Sequence, residues 1–321
     1  LLVPFGALPP AIASVTLHLS FLAAGYGAAF MLVRARRWWR PAAFTLALCA
    51  VAVFEPQVIS SRWGQSGGLT LLGIALAVTS LARPRALPFA ASGLLLSLKP
   101  HLTVIFALAV FIALVRGRAW RSVAAFAGVP LAVGAASLAL DPHALGFILD
   151  RGGEQASHVG LYASVWSLAY GVGGPGWVAL GAVFALLTAA LSFGAAALVD
   201  AGRRREWILA AAACVSLLSS PYQYSYDHTM LVPAFVLSLA AAGSVAGALR
   251  VTHLWIVVLL ALGVPWSLFL LSYLAPVLPS VSGAVPLLFG LLLLISARAV
   301  RRGGAEIARA PTLSDRGSSV F

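Results

Sequence analysis

Lys99 is the only lysine in the 321 residues, and it stands in a Leu98-Lys99-Pro100-His101 turn between two apolar runs. A lysine is a compact point charge for a phosphate, and an arginine offers a bidentate fork for the same group. Arg62 is the arginine to consider, because the stretch from Arg62 to His101 contains two apolar segments joined at Arg83 to Arg85. Arg62-Gln65 and Lys99-His101 therefore return to one side of a membrane, where Gln65 and His101 add donors. The plainer reading of Lys99 is a charge that snorkels to the headgroups beside its proline. Asp227-His228 forms a second grouping, preceded by Tyr222, Tyr224 and Tyr226. A carboxylate next to an imidazole suits proton transfer or the orientation of a hydroxyl, and tyrosine rings stack on sugars. Asp227 also suits a helix amino-terminal cap, and the tyrosines an interfacial belt. Glu55 is a candidate substrate contact, although with Asp141, Asp150, Glu154, His143 and His158 it also reads as a solvated loop residue.

The elements that must position these groups are transmembrane helices. Hydrophobic residues make up 61% of the chain and charged residues 9%, with a mean hydropathy of +0.98. Such values lie far outside the globular range and describe an all-α polytopic integral membrane protein. Spans of about 20 residues with short loops give about eleven transmembrane helices. They are expected near 10–33, 41–54, 67–81, 88–98 and 102–115 as a short hairpin, then 123–140, 177–199, 207–218, 229–249, 253–271 and 284–296. Residues 161–170 read as a short helix on the outer interface, with Tyr162, Trp166 and Tyr170 on one face. Residues 1–302 form a single transmembrane domain, and 303–321 read as a disordered cytoplasmic tail. This threading leaves only Arg62, Lys99 and Arg151 of the 21 basic residues outside, while five of the nine acids, Glu55, Asp141, Asp150, Glu154 and Asp227, are outside. The separation follows the positive-inside rule and places both groupings on the extracytoplasmic face of a plasma (inner) membrane.

Several classes drop out. The net charge of +12 comes from arginine clusters at span ends and does not indicate a nucleic-acid partner. Cys49 and Cys214 lie in apolar runs and suggest no disulfide or metal site. Gly171-x-Gly173-x-x-Gly176 matches a dinucleotide pattern, but it contains Pro175 and follows no strand. No metal spacing and no cofactor motif is present. A transporter or flippase for a lipid-linked precursor is the main alternative to an enzyme; it calls for inverted repeats and ionisable groups at the midplane on paired broken helices, and no second broken helix matches the Lys99 hairpin.

Arg62-Trp63-Gly64-Gln65, Leu98-Lys99-Pro100-His101 and Ser219-Ser220-Pro221 through Asp227-His228 together resemble glycosyltransferase family 87, membrane enzymes of the GT-C class that include polyprenol-phosphate-mannose-dependent mannosyltransferases of actinobacteria. The arginine-rich, lysine-poor composition suits a high-GC bacterium. The resemblance implies a GT-C-like helical bundle that transfers a sugar, mannose by analogy, from a polyprenyl-phosphate donor to a glycolipid or envelope-glycan acceptor, inverting the anomeric carbon and needing no cofactor. Lys99, Arg62 and His101 would hold the donor phosphate; Gln65, Tyr224, Tyr226 and Glu55 would contact substrate; Asp227 and His228 would carry the proton chemistry. The class generally keeps its catalytic Asp in the first outer loop. Because the chain starts at Leu1 with residues that look like the end of a loop, that Asp is expected to lie before it, in a twelve-span protein.

Overall fold

A computed structural model describes residues 8–35, 41–143, 146, 150, 162–220, 223–245, 247–275 and 279–309. The helices in chain order are α1 Pro10–Arg34, α2 Pro41–Ala52, α3 Glu55–Arg62, α4 Gly67–Ser80, α5 Ala86–Leu96, α6 Pro100–Arg116 and α7 Trp120–Leu140. They continue as α8 Val165–Gly173, α9 Trp177–Ala197, α10 Ala201–Ser216, α11 Val232–Ala241, α12 Gly247–Val258, α13 Val264–Leu274 and α14 Val285–Arg309. The protein is an all-α polytopic membrane protein. In lipid a single segment satisfies its own backbone only as a helix, the alternative being a closed barrel of strands, and no strand occurs among the described residues.

Among the described residues, full-length spans are fewer than eleven: five helical stretches are long and apolar enough to cross a bilayer, or six if the bent pair α2 and α3 counts as one. The others are shorter because turns interrupt them. The expected span at 229–249 opens with a 3-10 turn, Ser225–Leu231, and closes with another, Ala242–Ser244, leaving ten α-helical residues between. Between α12 and α13 the backbone widens to a π turn at Leu259–Gly263. Pro265 accounts for it: proline has no N–H for the Ala261 carbonyl, and its ring crowds that turn.

The expected pair of short helices around Lys99 is present, as α5 and α6, but splayed. Helix α5 packs along α4 and α7, whereas α6 packs along α10. The expected interfacial helix is corrected. Ser164 caps α8 by accepting the Ser167 N–H, so the helix starts at Val165 and Tyr162 lies outside it. Trp166 and Tyr170 remain four apart on α8, but Tyr162 leaves their face: it meets Tyr224, while Tyr170 meets Trp177 and Trp166 donates to the Leu218 carbonyl at 2.9 Å. Trp166 also lies where a Cβ on Gly181 would stand, 2.5 Å from its ring. Fifteen residues of continuous helix would put the two about 22 Å apart. The chain therefore reverses at Gly174–Gly176, with Gly174 at φ +50°, and α8 folds back on α9.

In lipid, burying apolar surface does not drive helices together, so close approach through small residues matters. A Cβ on Gly68 of α4 would stand 2.3 Å from the Phe21 carbonyl oxygen of α1, and one on Gly93 of α5 2.0 Å from that of Phe126 in α7. Helix α14 is central, with half of its span buried, and α7 is peripheral. Phe54, Phe235 and Phe289 meet at the centre, with Phe54 5.6 and 5.8 Å from the other two rings. Leu131, Leu140, Leu186 and Trp255 face outward, as lipid-exposed positions should.

Candidate active site

The site is built on the 3-10 turn Ser225–Leu231. Asp227 shapes the turn: its Oδ2 accepts the Tyr224 N–H at 3.0 Å, while its own N–H donates to the Tyr224 carbonyl. The other oxygen, Oδ1, receives Lys99 Nζ at 2.5 Å. Lys99 is brought there by its position at the amino-terminal end of α6, where Pro100 starts the helix. The lysine is 16% exposed and the aspartate 4%, so each neutralises a charge that the surroundings could not solvate. Lys99 also lies 5.0 Å from the Tyr226 ring centroid, a cation–π contact, and Tyr224 stacks on Tyr226 at 5.1 Å. His101 sits within electrostatic range of both Asp227 and Lys99.

Beside this pair is a cavity of about 370 Å³ lined by Glu55, Trp63, Tyr224, Ser225, Tyr226 and His228, with Phe269 and Ser272 of α13 on one wall. Glu55 is 1% exposed, which overturns its reading as a solvated loop residue. It opens α3, and α3 packs beneath the 3-10 turn. Ser225 hydrogen-bonds the Glu55 carboxyl, and Oε1 has no partner among the described residues. His228 Nε2 lies 3.1 Å from the Ala163 carbonyl. A carbonyl only accepts, so Nε2 carries the proton, and Nδ1, which is also without a partner among the described residues, is left as an acceptor. Burial pushes the imidazole down to about 4, which keeps it neutral at physiological pH.

Of the nine residues singled out from the sequence, Glu55, Tyr224, Tyr226 and His228 line the cavity. Asp227, Lys99 and His101 cluster next to it, with Tyr226 touching both groups. Arg62 is exposed at the end of α3, Gln65 is half-buried in the following turn, and neither lines the cavity. That turn is held by Gly64 at φ +60°, where the His18 ring occupies the space of a Cβ. Gly67, at the start of α4, has the Ser60 hydroxyl where a Cβ would stand, with Thr229 Oγ1 and the Tyr226 carbonyl 3.2 and 3.4 Å away, so the turn and α4 approach closely there. Tyr222 lies outside the described residues. Ser225, Trp63, Phe269, Ser272 and Ser282 line the cavity without having been singled out. Ser225 and Trp63 sit inside the quoted motifs, but nothing in the sequence marks Phe269, Ser272 or Ser282.

The arrangement offers a buried carboxyl group that burial pushes up to about 8, a neutral imidazole with an acceptor nitrogen, each with one atom unpartnered among the described residues, aromatic walls and an adjacent lysine. The family model described as Glycosyltransferase family 87 matches residues 1–221. The matched part takes in Glu55, Arg62, Gln65, Lys99 and His101 and ends before Tyr224. No curated protein and no solved structure matches the chain.

Proposed function

Because the chain belongs to glycosyltransferase family 87, and is therefore a membrane glycosyltransferase, we propose that it transfers a sugar, mannose by family analogy, from a polyprenyl-phosphate donor to a lipid-linked or envelope acceptor on the extracytoplasmic face of the plasma membrane. The observation that carries this reading is the cavity where Glu55 and His228 meet, beside the chain's single lysine.

In this mechanism of GT-C type Glu55 serves as the base in place of the first-loop Asp that the resemblance implies: burial pushes its carboxyl up to about 8, and in its ionised form it takes the proton of the acceptor hydroxyl as that oxygen attacks the anomeric carbon, while His228 Nδ1 accepts a hydrogen bond that orients the substrate. The bond from the anomeric carbon to the phosphate oxygen breaks with inversion, and the electron pair leaves on polyprenyl phosphate. Lys99, with His101, stabilises that negative charge, and Arg62, exposed at the end of α3 and off the cavity, is left out of this step. Asp227 holds Lys99 in place rather than acting as the base, since both of its oxygens are engaged. Tyr224 and Tyr226 provide stacking faces, and Gln65 a further donor at the rim.

The test is transfer of radiolabelled mannose from polyprenyl-phosphate-mannose to endogenous lipids in membranes containing the full-length protein. Wild type is expected to transfer. Glu55→Gln and Lys99→Ala are expected to lose transfer by two orders of magnitude or more at equal protein level, in the range of about 10²–10⁴ that general acid–base groups supply. Transfer by wild type and Glu55→Gln alike would remove Glu55 from the base role. No transfer by wild type, with this or any other polyprenyl-phosphate sugar, would favour a lipid transporter.

A further inference from the structure

A second cavity, of about 390 Å³, lies at the other end of the molecule, with Leu249, His253, Ile256, Ile295, Arg298 and Arg302 in its lining. Helix α14 joins it to the candidate active site, since Val285 lines one cavity and Arg302 the other. Seventeen residues of helix separate them by about 25 Å, close to the roughly 30 Å of a hydrocarbon core. The second cavity therefore sits at the opposite membrane surface. Arg298 and Arg302 are four residues apart, on one face of α14, and both are exposed. Among the described residues, no acidic side chain lines the cavity. His253 is buried, its Nε2 3.1 Å from the Ser238 carbonyl, so it contributes a fixed polar wall. Leu249, Ile256 and Ile295 make the rest of the lining apolar, and Leu249 is 68% exposed, so the apolar side opens toward the surroundings of the bundle.

We propose that this cavity binds the headgroup of an anionic phospholipid, its phosphate between Arg298 and Arg302 and its first acyl carbons against Leu249, Ile256 and Ile295. Two guanidinium forks match a phosphate diester, and basic pockets between transmembrane helices are recognised sites for anionic headgroups. The apolar wall distinguishes the lipid from free phosphate, which would gain nothing from it. The site is independent of the transfer reaction.

The test uses the full-length protein purified in neutral detergent, incubated with phosphatidylglycerol, phosphatidylcholine or glycerol phosphate and examined by native mass spectrometry. Wild type is expected to retain phosphatidylglycerol selectively. Each arginine near an anionic lipid is worth about fivefold, so R298A/R302A is expected to lower apparent affinity about thirtyfold. Arg301→Ala removes the same charge from a neighbour that does not line the cavity and is expected to retain the lipid. If the double variant does not fold, Arg298→Gln and Arg302→Gln separately carry the same comparison at about fivefold. Equal retention of phosphatidylcholine, unchanged binding by the arginine variants, or glycerol phosphate competing as well as the lipid would each overturn the proposal.

Discussion

Lys99 and Asp227 show how one contact combines structural and chemical roles. Both charges lie largely out of water, and removing one leaves the other buried and uncompensated, a change that costs about 3–5 kcal/mol. Replacing both with apolar side chains of similar volume removes that penalty, because the pair's mutual attraction mostly offsets its own desolvation. Lys99→Met and Asp227→Leu are therefore each expected to lower the thermal unfolding temperature of the purified protein, and K99M/D227L to recover most of the loss. Recovery of stability without recovery of sugar transfer separates the two roles. If the double variant were as unstable as the sum of the singles, the pair would not be coupled, and the geometry at Asp227 Oδ1 would have to be redrawn.

At the scale of elements, small residues decide where helices cross. Gly93 and Gly128 lie on α5 and α7, yet a Cβ at Gly93 would overlap the Phe126 carbonyl while one at Gly128 meets nothing within 4 Å. Overpacking of this kind costs about 1–3 kcal/mol, whereas a glycine replaced by alanine in an open helix position gains up to about 1 kcal/mol of propensity. Gly93→Ala should lower the unfolding temperature in detergent, and Gly128→Ala should leave it unchanged or raise it. Equal effects of the two would mean that α5 and α7 do not cross at Gly93. The α5 crossing bears on the site, because α5 leads directly into the turn that carries Lys99.

For the molecule as a whole, the arginine clusters and the two cavities define opposite faces. The turn at Ser97–Lys99 and the turn at Gly117 lie at the two ends of α6, a helix of 17 residues and hence about 25 Å long. In a Cys49→Ser background, Ser97→Cys is expected to react with a membrane-impermeant maleimide in intact cells, and Gly117→Cys only after permeabilisation. Both positions are exposed, so accessibility within the fold does not limit labelling. The reverse pattern would put the candidate active site in the cytoplasm and remove an outward-facing donor site.

Composition by itself determined that this is a polytopic helical membrane protein, because a chain so apolar leaves the bilayer few alternatives to helices. The two short helices around Lys99 were legible from the arginines that fix their outer ends, whereas the pairing of Lys99 with Asp227 was not, since the sequence offers them as two separate groupings. Span lengths were less legible, since the turns at Ser225–Leu231 and Leu259–Gly263 sit inside apolar runs that hydropathy does not divide. Only the tertiary structure decided that Glu55 is buried, that Asp227 is committed to Lys99 and the Tyr224 N–H, and that Ser272 and Ser282 belong to the cavity. Those facts depend on contacts between residues far apart in the chain, 128 positions for Lys99 and Asp227, and such contacts are set by helix packing rather than by any local pattern.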